Sequence, residues 1–320
     1  MIIILIIIII FIIYKNYKKS KFWINQNVDF GEKNDGIIKN DNYKIIKPPK
    51  NMIWTYSVNI NELTNFINNN YLENTYYTED YIKKITTKSN IICLKLNNQI
   101  IGTIVGRPII LKIKNRIVNC NYIDLFTLNK NYRKTGISNL IMLKLKNYYI
   151  KKSNDIFVFK KEHSKLPFNN IYTLKNYYLK LSDININNHD KLSTDITKYK
   201  KENLYKSDFY QIFNDFNFYF KNDKTNITLI NNNNFCNISI IYSIHNNKKY
   251  LTAEIGYFIG DYNFFINIIN YLQNNNFKYL TIMDFNLDNK ILNLLTFNTN
   301  VYIYMHNYST SINSLFFNHF

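Results

Sequence analysis

Glycine and proline are scarce in this chain of 320 residues, at 7 and 4, so turns carry few of their usual markers and a collagen-like or Pro/Gly-rich disordered chain is excluded. Cysteine is scarcer still. Cys93, Cys120 and Cys236 lie far apart with no CxxC pair, which argues against a disulfide framework or a Cys-rich metal site and suits a reducing compartment. Acidic residues are also few: Asp+Glu 22 against Lys+Arg 40 leaves a net charge of +18. Such a charge can steer a protein to nucleic acid, anionic lipid or a polyphosphate. The lysines are dispersed, and no zinc-ligand spacing, RNP-like box or basic zipper accompanies them, so nucleic acid is not the expected partner. What abounds is apolar and aromatic, 46% and 17% of residues with 28 Tyr and 23 Phe. That much apolar surface must fold, and the length corresponds to two domains of roughly 150 residues each.

Residues 1–14 are a nearly pure Ile run, followed at once by Lys15, Lys18, Lys19 and Lys21. About 20 apolar residues span a bilayer, so this is a short span at best. No charged segment precedes it and no small-residue cleavage site follows, which argues against a removed signal, and basic flanks tend to stay in the cytosol. The expectation is an uncleaved membrane anchor over 1–20 with the body of the protein on the cytoplasmic face. Residues 21–53, ending in Pro48-Pro49 and residues that precede the globular pattern, read as an arm or linker.

From Trp54 onward the pattern predicts helices over 61–70 and 79–85, then strands 91–96 and 100–105 around an Asn97-Asn98-Gln99 turn. Strands 109–113 and 117–128 follow, then helix 137–149, strand 155–159 and helix 171–181. After a polar stretch at 183–206 the order recurs: helix 209–220, strands 237–244 and 249–258 around His245-Asn246-Asn247, helix 264–273, strand 279–284, helix 289–297 and strand 301–306. The repeat implies an internal duplication, with halves 54–190 and 191–320 and two mixed sheets packed side by side.

Between strand and helix in the first half stands Arg133-Lys134-Thr135-Gly136-Ile137-Ser138, an R-x-x-G-x-S spacing. A glycine there lets the backbone approach an anion, the first-turn N–H groups and helix dipole hold phosphate oxygens, and the two cations suit a pyrophosphate. This is where the GNAT acyltransferase fold binds acyl-CoA. The equivalent turn of the second half, Gly260-Asp261, lacks the cations, so only the first half is expected to bind a nucleotide.

Several stretches together resemble the glycylpeptide N-tetradecanoyltransferases, or N-myristoyltransferases, a duplicated GNAT family. Phe22-Trp23-Ile24-Asn25-Gln26-Asn27-Val28 is similar to its FW-x-x-QPV box. The run from Asp124 to Arg133, DLFTLNKNYR, is similar to its N-F-L-C-V-H-K-K-L-R signature. Leu166-Pro167, Tyr177-Tyr178, Leu287-Asp288-Asn289-Lys290 and the run from Tyr302 to Tyr308 resemble later family stretches in the same order, over nearly the whole chain.

The resemblance implies an α/β (α+β) fold of two tandem GNAT-like acyl-CoA N-acyltransferase modules with pseudo-twofold mixed sheets. It implies an enzyme that moves myristate from myristoyl-CoA, a co-substrate with no further cofactor or metal, to the N-terminal glycine amine of proteins, acting as a monomer. Phe22 and Trp23 would contact the CoA end, where an aromatic pair also suits adenine stacking. Leu125 and Phe126 stand where the family uses two backbone amides as an oxyanion hole, worth about 3 kcal/mol per donor. Leu125, Phe126, Thr127, Leu128, Arg133, Lys134, Thr135, Gly136, Ile137 and Ser138 would hold the donor. The base would be the C-terminal carboxylate, here that of Phe320. The family's acidic E-D-D-D loop is reduced to Leu72-Glu73-Asn74-Thr75-Tyr76, which leaves the peptide preference open. His163 reads as a surface residue and His306 as a core residue. The rivals are a short-chain N-acetyltransferase of the same fold and a membrane-tethered homologue that binds acyl-CoA or acylated peptide without turnover.

Overall fold

The computed structural model describes residues 36–37, 43–71, 75–152, 154–186, 192–195, 209–212, 220–284, 287–306 and 308–309. In chain order the elements are β1 (Gly36–Ile37), β2 (Met52–Thr55), α1 (Ile60–Asn70), β3 (Thr75–Tyr76), α2 (Glu79–Thr86), β4 (Asn90–Leu96), β5 (Gln99–Ile113), β6 (Arg116–Leu128), α3 (Ile137–Ile150), β7 (Phe157–Glu162), β8 (Tyr172–Lys180) and β9 (Phe209–Ile212). There follow β10 (Asn226–Asn231), β11 (Asn234–His245), β12 (Lys248–Ile259), α4 (Tyr262–Asn274), β13 (Tyr279–Met283), α5 (Asn289–Leu292), β14 (Phe297–His306) and β15 (Tyr308–Ser309). The predicted membrane anchor lies outside the described residues. Among the described residues no helix is long and apolar enough to cross a membrane.

One sheet runs β10-β11-β12-β13-β8-β14-β7-β6-β5-β4-β2, with β3 added to β11 and β9 to β5. The same unit occurs twice: a hairpin, a helix, then a strand that returns parallel to the hairpin's second strand, β6–α3–β7 and β12–α4–β13. Each parallel return needs a helical crossover, and both have one. The two repeats do not form the two separate sheets expected. β8, from the first half, pairs with β13 of the second, β14 pairs with β7 of the first, and β8 and β14 pair with each other. The halves thus exchange their last strands across a common centre.

Two expected helices are corrected to strands. Residues 171, 174, 177, 178 and 181 fit a helical stripe, yet Tyr177, Leu179 and Leu181 are buried while Tyr178 and Lys180 are exposed, a period of two that the partner strands select. Residues 209–212 pair with β5, where the isolated pattern offered only an apolar run. Helix 289–297 shortens to the single turn of α5, Asp288 capping it through Lys290 N–H at 2.7 Å, and Phe297 already belongs to β14. Strands 109–113 and 117–128 are the ends of the continuous β5–β6 hairpin, strand 155–159 becomes β7, and β10 was not anticipated.

Helix α1 starts at Asn59, whose Oδ1 accepts the N–H groups of Asn61 and Glu62, and buries Leu63, Phe66 and Ile67 on one face. Helix α3 lies close on the sheet because β5 carries Gly102 and Gly106 beneath it. A methyl group at Gly106 would stand 2.6 Å from the Tyr149 ring, and one at Gly102 would collide with Ile141. Tyr149 fills the gap and donates its hydroxyl to the Gly106 carbonyl at 2.6 Å. That contact ties the C-terminal end of α3 to β5.

Candidate functional site

Strand β6 ends at Leu128, and the chain turns twice before α3 begins. Asn129 accepts the Asn131 N–H at 3.0 Å, Thr135 donates its hydroxyl to the Tyr132 carbonyl at 2.6 Å, and Lys134 and Gly136 adopt φ of 67° and 88°. Gly136 is the N-cap of α3 and supplies no side-chain acceptor, so the orphan N–H groups of the first turn have no side-chain cap. A Cβ at Gly136 would meet nothing within 4 Å, so the approach to those amides is open. In the second half the matching helix α4 is closed: Asp261 caps it, accepting the Phe264 N–H at 2.8 Å. An anion is therefore attracted to the first helix and repelled by a carboxylate at the second.

Arg133 has two duties. Its Nη2 donates to the Asn70 carbonyl at the C-terminal end of α1, at 2.5 Å, and the Lys130 N–H reaches Asn70 Oδ1 at 3.3 Å. A cation on the last carbonyls of a helix is favourable, and it ties the loop to α1. The remaining guanidinium edge borders an open cleft of about 780 Å³ lined by Asn70, Tyr71, Phe126, Thr127, Leu128, Arg133, Lys134 and Ser138. Six of the residues expected to hold the donor meet there. Leu125 and Ile137 face the core instead, and Thr135 is exposed and spent on its turn. Phe22, Trp23, Phe320 and the reduced acidic loop at Leu72, Glu73 and Asn74 lie outside the described residues. Asn70 and Tyr71 carried no signal in the sequence, because they arrive from an element about 60 residues upstream that only the tertiary fold brings here.

Beside the cleft β6 bulges. Thr103 pairs with Thr127 and Val105 with Asp124, so Leu125 and Phe126 oppose the single residue Ile104. An extra residue disrupts the ladder and turns backbone amides away from pairing. Leu125 sits at φ 46°, a left-handed conformation that costs a non-glycine residue about 1 kcal/mol or more and that clusters at functional sites. The second half has the matching irregularity, Ile238 pairing with Ile255 and Asn237 with Tyr257 across Gly256. The bulge is what makes adjacent amide donors available at this point of β6. They are not both free, however, because the Leu125 N–H already donates to Asp124 Oδ1 at 2.9 Å. Next to it Thr127 Oγ1 is buried without a hydrogen-bond partner.

Asp124 belongs to a group of charges that the motifs did not announce. Arg107 Nη2 on β5 lies 3.9 Å from Asp124 Oδ2; on β7, Lys160 Nζ lies 3.6 Å from Glu162 and 4.0 Å from Glu254 of β12. Strands β7 and β12 are four steps apart in the sheet, about 19 Å if it were flat, so the sheet curls to bring these side chains together. Burial holds the Asp124 carboxyl above its ordinary range, against the opposing pull of Arg107, the Leu125 N–H and Lys160. Glu254 is raised for the same reason, with Glu162 and Asp124 adding repulsion. An acid in the middle of the apolar strand KKYLTAEIGYFI was the available sequence signal for Glu254.

Solved structures share this fold. The chain superimposes on Saccharomyces cerevisiae N-myristoyltransferase with bound myristoyl-CoA at a TM-score of 0.75, 14% identical, over 92% of this chain and 94% of the yeast one. A second structure of the yeast enzyme with myristoyl-CoA gives 0.78 over 92% and 89%. The fold is that of N-myristoyltransferase. In sequence, the chain is similar to a protein of Melanoplus sanguinipes entomopoxvirus provisionally named glycylpeptide N-tetradecanoyltransferase, 31% identical over 167 residues. That match spans 51% of this chain and about half the length, 54%, of the relative. No protein-family model matches the chain.

Among the described residues of this N-myristoyltransferase fold, no histidine or cysteine lines the cleft. His163 is exposed at φ 66°, and His306 is buried with its ring 5.6 Å from that of Phe157. The three cysteines are buried free thiols. Burial pushes Cys93 up to about 11 and Cys120 and Cys236 further. At pH 8 about one Cys93 in a thousand is thiolate, the reactive form. Iodoacetamide at pH 8 is expected to leave the folded protein unmodified by intact mass and to add three carbamidomethyl groups in denaturant; rapid labelling of the native protein would contradict this burial.

Proposed function

We propose that the protein transfers a tetradecanoyl group from myristoyl-CoA to the α-amine of an N-terminal glycine. The observation that carries the reading is the cleft in which an uncapped helix N-terminus, Arg133, Lys134 and Ser138 adjoin the β6 bulge. The donor's diphosphate lies against the α3 amides and the two cations, with Phe22 and Trp23 stacking on its adenine. The thioester then runs along Thr127 and Phe126 to the bulge, where the Leu125 and Phe126 N–H groups stabilise the carbonyl oxygen as it becomes negative. The acceptor is an amine with a free pKa of about 8, so no Ser, Cys or His nucleophile is needed. In this reading residues 54–190 bind the donor and 191–320 complete the peptide groove.

The likeness to yeast N-myristoyltransferase and to the entomopoxvirus protein supports this assignment over acetyl transfer. A second reading, donor binding without transfer, is favoured by one contact: the Leu125 N–H is occupied by Asp124. The test is mass spectrometry of a Gly-initiated peptide incubated with the full chain and myristoyl-CoA or acetyl-CoA. The expected result is a gain of one tetradecanoyl group, with the same peptide bearing N-terminal sarcosine unmodified or much slower. Acetyl transfer alone, or tight binding of myristoyl-CoA with no product, overturns the proposal.

A further inference from the structure

We infer that Asp124 is a proton acceptor for the incoming amine, and that taking this proton is what frees the Leu125 amide for the thioester oxygen. The inference rests on the acyl-transfer reading and adds a residue to it. Three observations converge on it. Asp124 Oδ1 holds the Leu125 N–H at 2.9 Å, so the carboxylate stands beside one of the two donors proposed for the oxyanion. Its side chain keeps 19% of its surface exposed, as does that of Glu254, and Asp124 lies two residues along β6 from Phe126, which lines the cleft. The signature that DLFTLNKNYR resembles begins with asparagine, an amide that cannot accept a proton under ordinary conditions, whereas this chain has a carboxylate.

At neutral pH the glycine terminus arrives mostly as an ammonium and must lose a proton before its nitrogen can attack. The Asp124 carboxylate, attracted to that cation, exchanges the Leu125 N–H for the ammonium. One N–H proton passes to Asp124, leaving a neutral amine and a neutral carboxylic acid. The nitrogen lone pair forms the C–N bond, the carbonyl π pair moves to oxygen, and the Leu125 and Phe126 N–H groups receive it. On collapse the C–S bond breaks, the sulfur leaves with its electron pair, and the second N–H proton converts it to the free thiol of CoA. Asp124 later returns its proton to solvent. A neutral Asp124 does not repel the developing oxyanion; an ionised one, left on the Leu125 amide, both blocks and repels it. The order of events removes the conflict between the two roles. The resemblance gives proton removal to the Phe320 carboxylate, and Asp124 is a second acceptor placed at the bulge itself.

The charges around Asp124 suit this duty. Arg107 of β5 and Lys160 of β7 keep the carboxylate ionisable despite burial, Glu254 of β12 repels it, Glu162 of β7 pairs with Lys160, and the phenols of Tyr81 on α2 and Tyr122 on β6 lie within electrostatic reach. With its carboxyl raised by burial, Asp124 becomes ionised only above the ordinary carboxylate range, and the rate rises with pH through that value.

The experiment compares wild type, D124N and D124A in single-turnover transfer at saturating myristoyl-CoA and Gly-peptide, with the donor's Kd measured by calorimetry. D124N keeps an acceptor for the Leu125 N–H, so the bulge survives; D124A leaves that amide open. Both are expected to slow transfer by about 10²-fold at unchanged donor Kd. Both are also expected to lose the acid limb of the wild-type pH profile, leaving only the limb of the amine near pH 8. If Asp124 merely caps the amide, D124A is as fast as wild type or faster, and a rate within threefold of wild type for either variant overturns the assignment. A wild type that binds donor but transfers nothing at any pH removes the acyl-transfer reading itself and this assignment with it, an outcome distinguishable because the variants then have no rate to lose.

Discussion

Replacing Gly136 by valine weakens binding of myristoyl-CoA by tenfold or more. At φ 88° the backbone is left-handed, where an L residue pays about 1–2 kcal/mol and a β-branched one more, so the loop shifts toward a conformation the side chain tolerates. Each 1.4 kcal/mol transferred from strain to binding is a factor of ten in affinity. Open space within 4 Å of the glycine means that no clash in the folded core confuses the result: the penalty is in the backbone and in the approach of the phosphates to the first-turn amides. Calorimetric titration of wild type and G136V with myristoyl-CoA and with CoA alone measures it. Both ligands should weaken together, since they share the diphosphate. An unchanged Kd for both would remove the turn before α3 from the donor site.

Replacing Phe265 by alanine destabilises the whole chain by about 3–5 kcal/mol, the range for emptying a buried aromatic site. Phe265 is fully buried on α4, with its ring edge-on to Phe258 at 5.6 Å. The site lies in the second half, yet the loss should be felt in the first. Strands β8 and β14 are exchanged between the halves and pair with each other, so opening one half strips hydrogen-bonded partners from the other. Both tryptophans, Trp23 and Trp54, precede the second half, so fluorescence reports the first half while far-UV circular dichroism reports both. In urea the two signals should move together to a lower midpoint in F265A. Two separated transitions, with fluorescence unmoved, would show that the halves fold independently.

Most of the cleft's lining was legible before any coordinate because its parts are contiguous. Arg133 to Ser138 sit on one turn, which spacing picked out, and Phe126 to Leu128 on the strand that leads into it, which the family resemblance picked out. The same logic located α1, α2, α3 and α4 and the β4–β5 and β11–β12 turns, whose flanking periodicity extends over enough residues to separate a repeat of two from one of 3.6. It failed for β8, where five apolar residues fit either period and the partners β13 and β14 made the choice.

What the sequence by itself determined is where the longer helices and most of the strands lie, and a cationic glycine turn opening one helix and missing from its counterpart. Those properties follow from side-chain volume, charge and backbone freedom within a few residues. Only the tertiary structure decided that the two halves share one sheet through exchanged strands, that Asn70 and Tyr71 wall the cleft, and that Arg107, Asp124, Lys160 and Glu254 converge on the bulge. These contacts join residues far apart along the chain, Arg107 and Asp124 by 17 positions and Lys160 and Glu254 by 94. The energy of a buried charge depends on what surrounds it in space, and no pattern along the chain encodes that.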